Sequence, residues 1–363
     1  MVKVTLRNLT KSYGKVIAVD DLTLEIQDKS LTVLLGPTGA GKTTTIKCIS
    51  GVLSPDRGDI LFDDESVLSL PPWERDVAQF FQTYALYPHM SVYDNIAYPL
   101  KQRGLSRSEI DRKVKEVARK LRIHHLLDRK DPTTLSGGEM QRVALARTLV
   151  REPKVFLLDE PISNLDAKLR EEMIHEFKRL CRELRQTMIY ATPDYLEALE
   201  VGERIAVIKD GRLQQYGTPQ EIYHHPANKF VATFVGSPPI NLLEGDLKTE
   251  DGLVVFQGGG VTIDISELAG RWLEKLKGDE IILAIRPEDI GISKEKIEGA
   301  LRAKALVAQP LGHETVVVCN LGEKEVNVVV KGFLSVRYGE EVWLKLNKQK
   351  MHIIDPRTEE VLL

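Results

Sequence analysis

Gly36-Pro37-Thr38-Gly39-Ala40-Gly41-Lys42-Thr43 has the spacing GxxxxGK[ST]. Glycines at these places let successive backbone N–H groups curl around phosphate oxygens, and the helix that must follow adds partial positive charge at its N-terminus. Lys42 is then placed for the β- and γ-phosphates and the Thr43 hydroxyl for Mg2+, with Thr44 next in the same turn. A second stretch, Val155-Phe156-Leu157-Leu158-Asp159-Glu160, is an apolar run that ends in two acids. Asp159 is placed to hold the Mg2+ shell, and Glu160 is the candidate for orienting or deprotonating an attacking water. Together these residues point to hydrolysis of a nucleoside triphosphate.

Such a loop works only if a strand delivers the chain to Gly36 and a helix leaves after it. Leu31–Leu35 is a short apolar strand of that kind, and a helix is expected from Thr44 to Ile49. Residues 188–191 and 205–208 are further strand candidates. Leu169, Met173, Phe177, Leu180 and Leu184 recur at helical spacing. Strands alternating with helices predict an α/β fold with a largely parallel sheet and helices on both faces. Residues 100–131 are charged and helical in period (Ile110, Val114, Val117, Leu121) and read as a helical insertion.

Thr218-Pro219-Gln220-Glu221 marks a helix start, with an N-cap, a Pro at the first helical position and a capping-box Glu. Gly236-Ser237-Pro238-Pro239-Ile240-Asn241 then reads as a domain boundary. Beyond it come short β-like runs at 261–265, 280–285, 315–319, 326–330 and 342–346, separated by turn signals, which suggest a small barrel. The expected division is 1–235, with a helical subdomain at about 88–152, and 236–363.

The 363 residues suit about two domains at roughly 100–200 residues each. A formal net charge of −3 argues against a general nucleic-acid binder. Cys48, Cys181 and Cys319 lie far apart and read as small buried hydrophobes of a reducing compartment. His124-His125 and His224-His225 lack metal-ligand spacing and read as surface histidines. The N-terminus alternates like a strand rather than a signal peptide, and the apolar runs are far shorter than the ~20 residues that span a bilayer. The chain is expected in the cytosol, with any membrane role carried by a partner.

Between the phosphate loop and the acidic strand stands Leu135-Ser136-Gly137-Gly138-Glu139-Met140-Gln141-Arg142. With loop, segment and strand in this order, residues 1–235 resemble an ATP-binding cassette (ABC) ATPase. The resemblance implies a P-loop NTPase fold in which Ser136, Gly137, Gly138 and Glu139 face the nucleotide of a second subunit. It implies that Tyr13 stacks on adenine, that Gln82 senses Mg2+ and water, and that Ser163 and Asp166 belong to a dimer-contacting loop. More narrowly, Tyr84-Ala85-Leu86-Tyr87-Pro88-His89-Met90, the stretch from Ser163 to Arg170 and Gly236-Ser237-Pro238-Pro239-Ile240-Asn241 are similar to the carbohydrate-import subfamily. Ile285-Arg286-Pro287-Glu288-Asp289-Ile290 and Asp355-Pro356-Arg357-Thr358 are similar to its OB-fold (TOBE) regulatory domain. The implied activity is ATP-driven import of sugars, polyols or glycerol phosphates, from the cytoplasmic face of the membrane. The implied partners are a second ATPase chain, two transmembrane permease subunits and a periplasmic or extracellular solute-binding protein.

The sequence departs from that family where a His normally follows the strand 188–191: here stands Thr192-Pro193-Asp194. Thr192 is expected to cap the next helix with Pro193 at its first position. Pro193 has no titratable ring and no donor, so one polar contact to the transferred phosphoryl is missing and hydrolysis at this chain's own site is expected to be slow. A heterodimer with an ATPase that keeps the His is favoured over a weakly active homodimer. Glu139, where the family commonly has Gln, reads as an acid favoured by the helix dipole. Two other readings stand beside import: a non-hydrolysing ATP-gated regulatory subunit, and a nucleic-acid-associated ABC ATPase, which the charge disfavours.

Overall fold

Leu22, Leu24 and Ile26 are buried while Asp21, Thr23 and Glu25 are exposed, the period-two pattern of a strand with one covered face. In the computed structural model this strand, β2 (Val16–Ile26), pairs antiparallel with β1 (Val4–Tyr13), from Val4↔Ile26 to Tyr13↔Val16. The structure describes residues 2–80, 86–162, 167–184, 186–250, 253–270, 272–276 and 278–363. β3 (Leu31–Leu35) is buried at every position, as a strand covered on both faces must be. It runs into the phosphate loop, and α1 (Lys42–Ser50) leaves it. β4 (Arg57–Phe62) and the short β5 (Glu65–Ser66) complete an antiparallel sheet ordered β2-β1-β4-β5.

After β6 (Val77–Phe80) the charged insertion folds as α2 (Val92–Gln102), α3 (Arg107–Lys120) and α4 (Gly137–Leu149). Ile110, Val114 and Val117 form the buried side of α3, as their spacing predicts. There follow β7 (Val155–Asp159), α5 (Ala167–Leu184), β8 (Thr187–Thr192), α6 (Tyr195–Val201), β9 (Arg204–Lys209) and β10 (Arg212–Gly217). The main sheet has the order β10-β9-β3-β8-β7-β6, parallel except for the β9–β10 hairpin. One apolar core takes Leu6, Leu22 and Ile60 from the antiparallel sheet, Ile46 and Ile49 from α1, and Leu34, Leu157 and Ile189 from the main sheet. α1 is thereby clamped by both sheets, which holds the loop at its N-terminus.

The chain divides into two units, Met1–Pro219 and Gln220–Leu363. The division precedes residue 236 because α7 (Pro219–His224) and α8 (Lys229–Phe234) are fastened to the strands of the second unit. Arg286, 3% exposed, donates to the carbonyls of Tyr223 (2.8 Å), Ala232 (3.4 Å) and Val235, and its guanidinium lies 4.0 Å from the centre of the Tyr223 ring. α7 starts at Pro219, where the sequence placed its first helical residue.

The five expected runs are strands of the second unit, which has two five-stranded antiparallel sheets around one core. One comprises β11 (Asn241–Glu250), β12 (Leu253–Gly258), β13 (Val261–Asp264), β14 (Glu280–Ile285) and β20 (His352–Ile354) in the order β13-β12-β11-β14-β20. The other comprises β15 (Ile290–Ser293), β16 (Leu301–Pro310), β17 (Glu314–Leu321), β18 (Lys324–Lys331) and β19 (Glu341–Leu346) in the order β15-β19-β16-β17-β18. A short helix, α9 (Trp272–Lys275), adds Trp272 to the core that both sheets share with Phe256, Leu283, Val317 and Leu344.

Candidate functional site

The phosphate loop is built by backbone geometry. Gly41 caps α1 at φ 101°, and a Cβ there would lie 2.2 Å from the Ala18 carbonyl oxygen of β2, so only glycine fits. Gly39, at φ 87°, would carry its Cβ into open space, with no atom within 4 Å. The loop is braced by the Gly211 N–H, which donates to the Ala40 carbonyl at 3.0 Å, and by the Ala40 N–H, which donates to Pro37 at 3.1 Å. In this frame Lys42 is 4% exposed, and its Nζ donates to the carbonyls of Gly36 (2.8 Å) and Pro37 (3.0 Å). Burial pulls the Lys42 ammonium below its usual pKa, while the nearby Glu160 and Asp159 carboxylates act in the opposite direction.

Asp159 and Glu160 come to the loop on the end of β7. Thr43 Oγ1 donates to Asp159 Oδ1 at 3.0 Å across 116 positions of sequence. Burial raises the Asp159 pKa, opposed by the Thr43 hydrogen bond and by Lys47 and Lys42. A hydroxyl and a carboxylate in contact, beside a loop of backbone amides, form the hard-oxygen donor set that Mg2+ takes with phosphate. Glu160 sits at φ 47°, in the left-handed region uncommon for Glu, and its N–H donates to the Ala191 carbonyl of β8 at 2.9 Å.

Tyr13 closes the β1–β2 hairpin opposite Val16 and is 48% exposed; Val16 and Ile17 beside it are 66% and 52% exposed. Ala18, next along β2, is the residue whose carbonyl abuts Gly41. An apolar surface thus stands beside the loop, and sequence reading picked out only Tyr13 of it. The missed signal was two β-branched residues following a Gly-Lys turn.

Ser136 is the N-cap of α4. Its hydroxyl accepts from the Glu139 N–H (3.4 Å), and Glu139 Oε2 accepts from the Ser136 N–H (2.9 Å) and Oγ (2.8 Å). This is a capping box, a more specific role for Glu139 than a favourable dipole. Gln141, fully buried on the same helix, donates to the Pro161 carbonyl at 3.1 Å, which ties α4 to the residue after Glu160. Sequence reading missed this Gln, since a Gln in a helix carries no local signal of burial.

The turn at Pro193 differs from expectation. Asp194, not Thr192, caps α6, accepting from the N–H groups of Leu196 (2.9 Å) and Glu197 (3.3 Å). Pro193 therefore lies outside the helix. Thr192 is buried in β8 and its hydroxyl accepts from the Asp194 N–H at 3.0 Å, so the carboxylate two residues further on takes the cap. Gln82, Ser163 and Asp166 lie outside the described residues. His124, His125, His224 and His225 are exposed, as their sequence context predicts.

Comparison with known proteins gives three family matches: ABC transporter over residues 19–163, MalK OB fold domain over 236–290, and TOBE domain over 283–354. The trehalose/maltose import ATP-binding protein MalK of Thermococcus litoralis is 45% identical over 371 residues, covering 99% of each chain. The oligosaccharides import ATP-binding protein MsmX of Bacillus subtilis is 40% identical over 99% of each chain. Among solved structures, cbiO1 of Clostridium perfringens, part of the ABC transporter complex cbiONQ, matches with a TM-score of 0.57 at 30% identity, covering 60% of this chain and 89% of that one. A dimeric bacterial ABC transporter cassette, MJ0796, matches with a TM-score of 0.53 at 29% identity, covering 60% and 98%.

Proposed function

The chain belongs to the family of ABC transporter ATP-binding proteins, and from that premise we propose that it binds and hydrolyses ATP to power import of a sugar, polyol or glycerol phosphate. The observation that carries the ATP chemistry is the junction of Lys42, Thr43 and Asp159 at the mouth of the loop. The solute class rests on the import proteins to which the chain is similar over its whole length.

In this reading the loop amides from Gly36, Thr38, Gly39, Ala40, Gly41 and Lys42 through Thr44 bind the phosphates, and Tyr13, with Val16 and Ile17, receives the adenine. Lys42 exchanges the Gly36 and Pro37 carbonyls for phosphate oxygens, which restores a partner to a charge that burial disfavours. Thr43 and Asp159 hold Mg2+, with Gln82 as a further ligand. When bound, this ion neutralises charge on the β- and γ-phosphates. Glu160 orients the attacking water and accepts its proton. Ser136, Gly137, Gly138 and Glu139, with Ser163 and Asp166, complete the site of a second ATPase chain in a closed dimer.

The remaining partners are two transmembrane permease subunits and a solute-binding protein, which place the chain at the cytoplasmic face of the membrane. Among the described residues no helix is long and apolar enough to cross a membrane, in keeping with attachment through such partners. Pro193 removes one contact to the transferred phosphoryl, so the chain's own site turns over slowly and its dimer partner is a related ATPase that keeps the His.

Steady-state ATP hydrolysis by the purified chain, beside Pro193→His and Glu160→Gln, tests the reading. Low wild-type turnover, a gain of about tenfold or more in Pro193→His and none in Glu160→Gln are expected. Wild-type turnover equal to that of Pro193→His would replace the heterodimer with a homodimer. Turnover retained by Glu160→Gln would remove Glu160 from the mechanism.

A further inference from the structure

Glu160 stands in a backbone conformation that a Glu seldom adopts, and the structure holds it there through its N–H, which donates to Ala191 O at 2.9 Å. Ala191 is the penultimate residue of β8, and what anchors it follows at once. Thr192, 1% exposed, donates its hydroxyl to Glu197 Oε2, and Tyr190, fully buried on the other side of Ala191, donates its hydroxyl to Glu197 Oε1. One carboxylate, itself 7% exposed, thus grips the residues on both sides of the carbonyl that holds Glu160. Ala191 is the strand partner of both Asp159 and Leu34, and Thr192 is the partner of Leu35, the residue before Gly36. The end of β8 therefore touches the strand that carries the acids and the strand that delivers the phosphate loop.

We propose that Glu197 and Thr192 are positioning residues for ATP hydrolysis: by clamping the end of β8 they hold the Ala191 carbonyl where it fixes the left-handed turn at Glu160, and with it the direction of the Glu160 carboxylate. The proposal rests on the hydrolytic reading above for the role of Glu160, but not for the clamp itself. The clamp also gives each oxygen of an acid buried at the foot of α6 one hydroxyl partner, and α6 is aimed by Asp194, whose carboxylate lies 3.8 Å from Arg170 on α5. Because Pro193 supplies neither a donor nor a titratable ring, the orientation of the water here depends more heavily on how well Glu160 is held.

Two readouts separate positioning from mere stability. Thr192→Val removes the hydroxyl at nearly constant shape. It should lower kcat for ATP about tenfold or more while KM changes less than about twofold, since the loop that binds ATP is untouched. Thr192→Ser, which keeps the hydroxyl, should recover most of kcat. Glu197→Gln, which retains one acceptor oxygen, should fall between wild type and Thr192→Val. In hydrogen–deuterium exchange, the peptide carrying the Glu160 amide should lose protection in Thr192→Val and regain it in Thr192→Ser. Folded Thr192→Val with wild-type kcat and wild-type exchange at Glu160 overturns the proposal. If Thr192→Val fails to fold, Thr192→Ser and Glu197→Gln decide by the same two readouts. Should the wild-type chain bind ATP without turnover, the hydrolytic reading falls, and exchange at the Glu160 amide still decides whether the clamp operates.

Discussion

Ser136 and Glu139 hold each other at the start of α4, and each of their contacts is local: residues three apart at a helix N-terminus. Losing such a cap costs about 1 kcal/mol, so Ser136→Ala should lower the unfolding free energy by that amount, read as a lower urea midpoint at unchanged slope. The hydrogen bonds from Ser136 hold the Glu139 pKa below its ordinary value. A depressed carboxylate contributes stability that is present above its unfolded pKa, about 4.3, and is lost as pH falls through the lower folded value. The gap between wild type and Ser136→Ala should therefore be full at pH 7 and narrow below about pH 4; a gap independent of pH would mean that the Ser136 hydroxyl does not act through the Glu139 carboxylate. The Ser-x-x-Glu spacing was open to view in the sequence. The cap of α6 was less so, because Thr192 and Asp194 are both good caps and only the register of β8, which buries Thr192, decides between them.

At the scale of elements, α7 and α8 share one anchoring side chain from the loop after β14. Arg286 supplies donors to three carbonyls and a planar cation over Tyr223, a geometry that a lysine ammonium cannot reproduce. Arg286→Lys should lower the stability of the second unit by about 3 kcal/mol, read as an earlier unfolding transition in calorimetry of the full chain, with α7 and α8 losing protection first in hydrogen exchange. An unchanged transition would show that the two helices are held without Arg286, by their apolar faces and by such bonds as Lys229 N–H to the Glu359 carbonyl (2.8 Å). Strands β11 and β16 escaped sequence reading for a related reason. β16 fully buries only Ala303 and Ala305, residues too small to give an apolar stripe; Leu301 and Ala308 reach the core only in part, and Arg302, Lys304 and Gln309 face out. β14 is buried at five successive positions and was legible at its true bounds, Glu280–Ile285.

For the whole molecule, the cysteines report on the two cores at once. Cys48, in the core shared by α1 and both sheets of the first unit, and Cys319, in the core of the second, are buried, and burial pushes each thiol up to about 11. At pH 8 such a thiol is about one part in a thousand thiolate, so neither should react with a thiol reagent in the native state. Cys181 on α5 is also buried. Mass spectrometry after brief alkylation should find all three unmodified in the native chain and all three modified in denaturant. Labelling of Cys319 alone, at low urea, would show that the second unit opens first.

The residue types and spacings by themselves determined the phosphate chemistry of this protein. Glycines that curl amides, a Lys and a Thr at the helix start and two acids closing an apolar strand act through short-range geometry that the local chain encodes. Tertiary structure decided which groups those residues meet. That Asp159 reaches Thr43, that the Ala191 carbonyl holds Glu160 left-handed, and that Ala18 packs on Gly41 all follow from how β7, β8, β3 and β2 register against one another. Register is set by burying whole faces of sheets at once, a property of the assembled core that no stretch of residues carries alone.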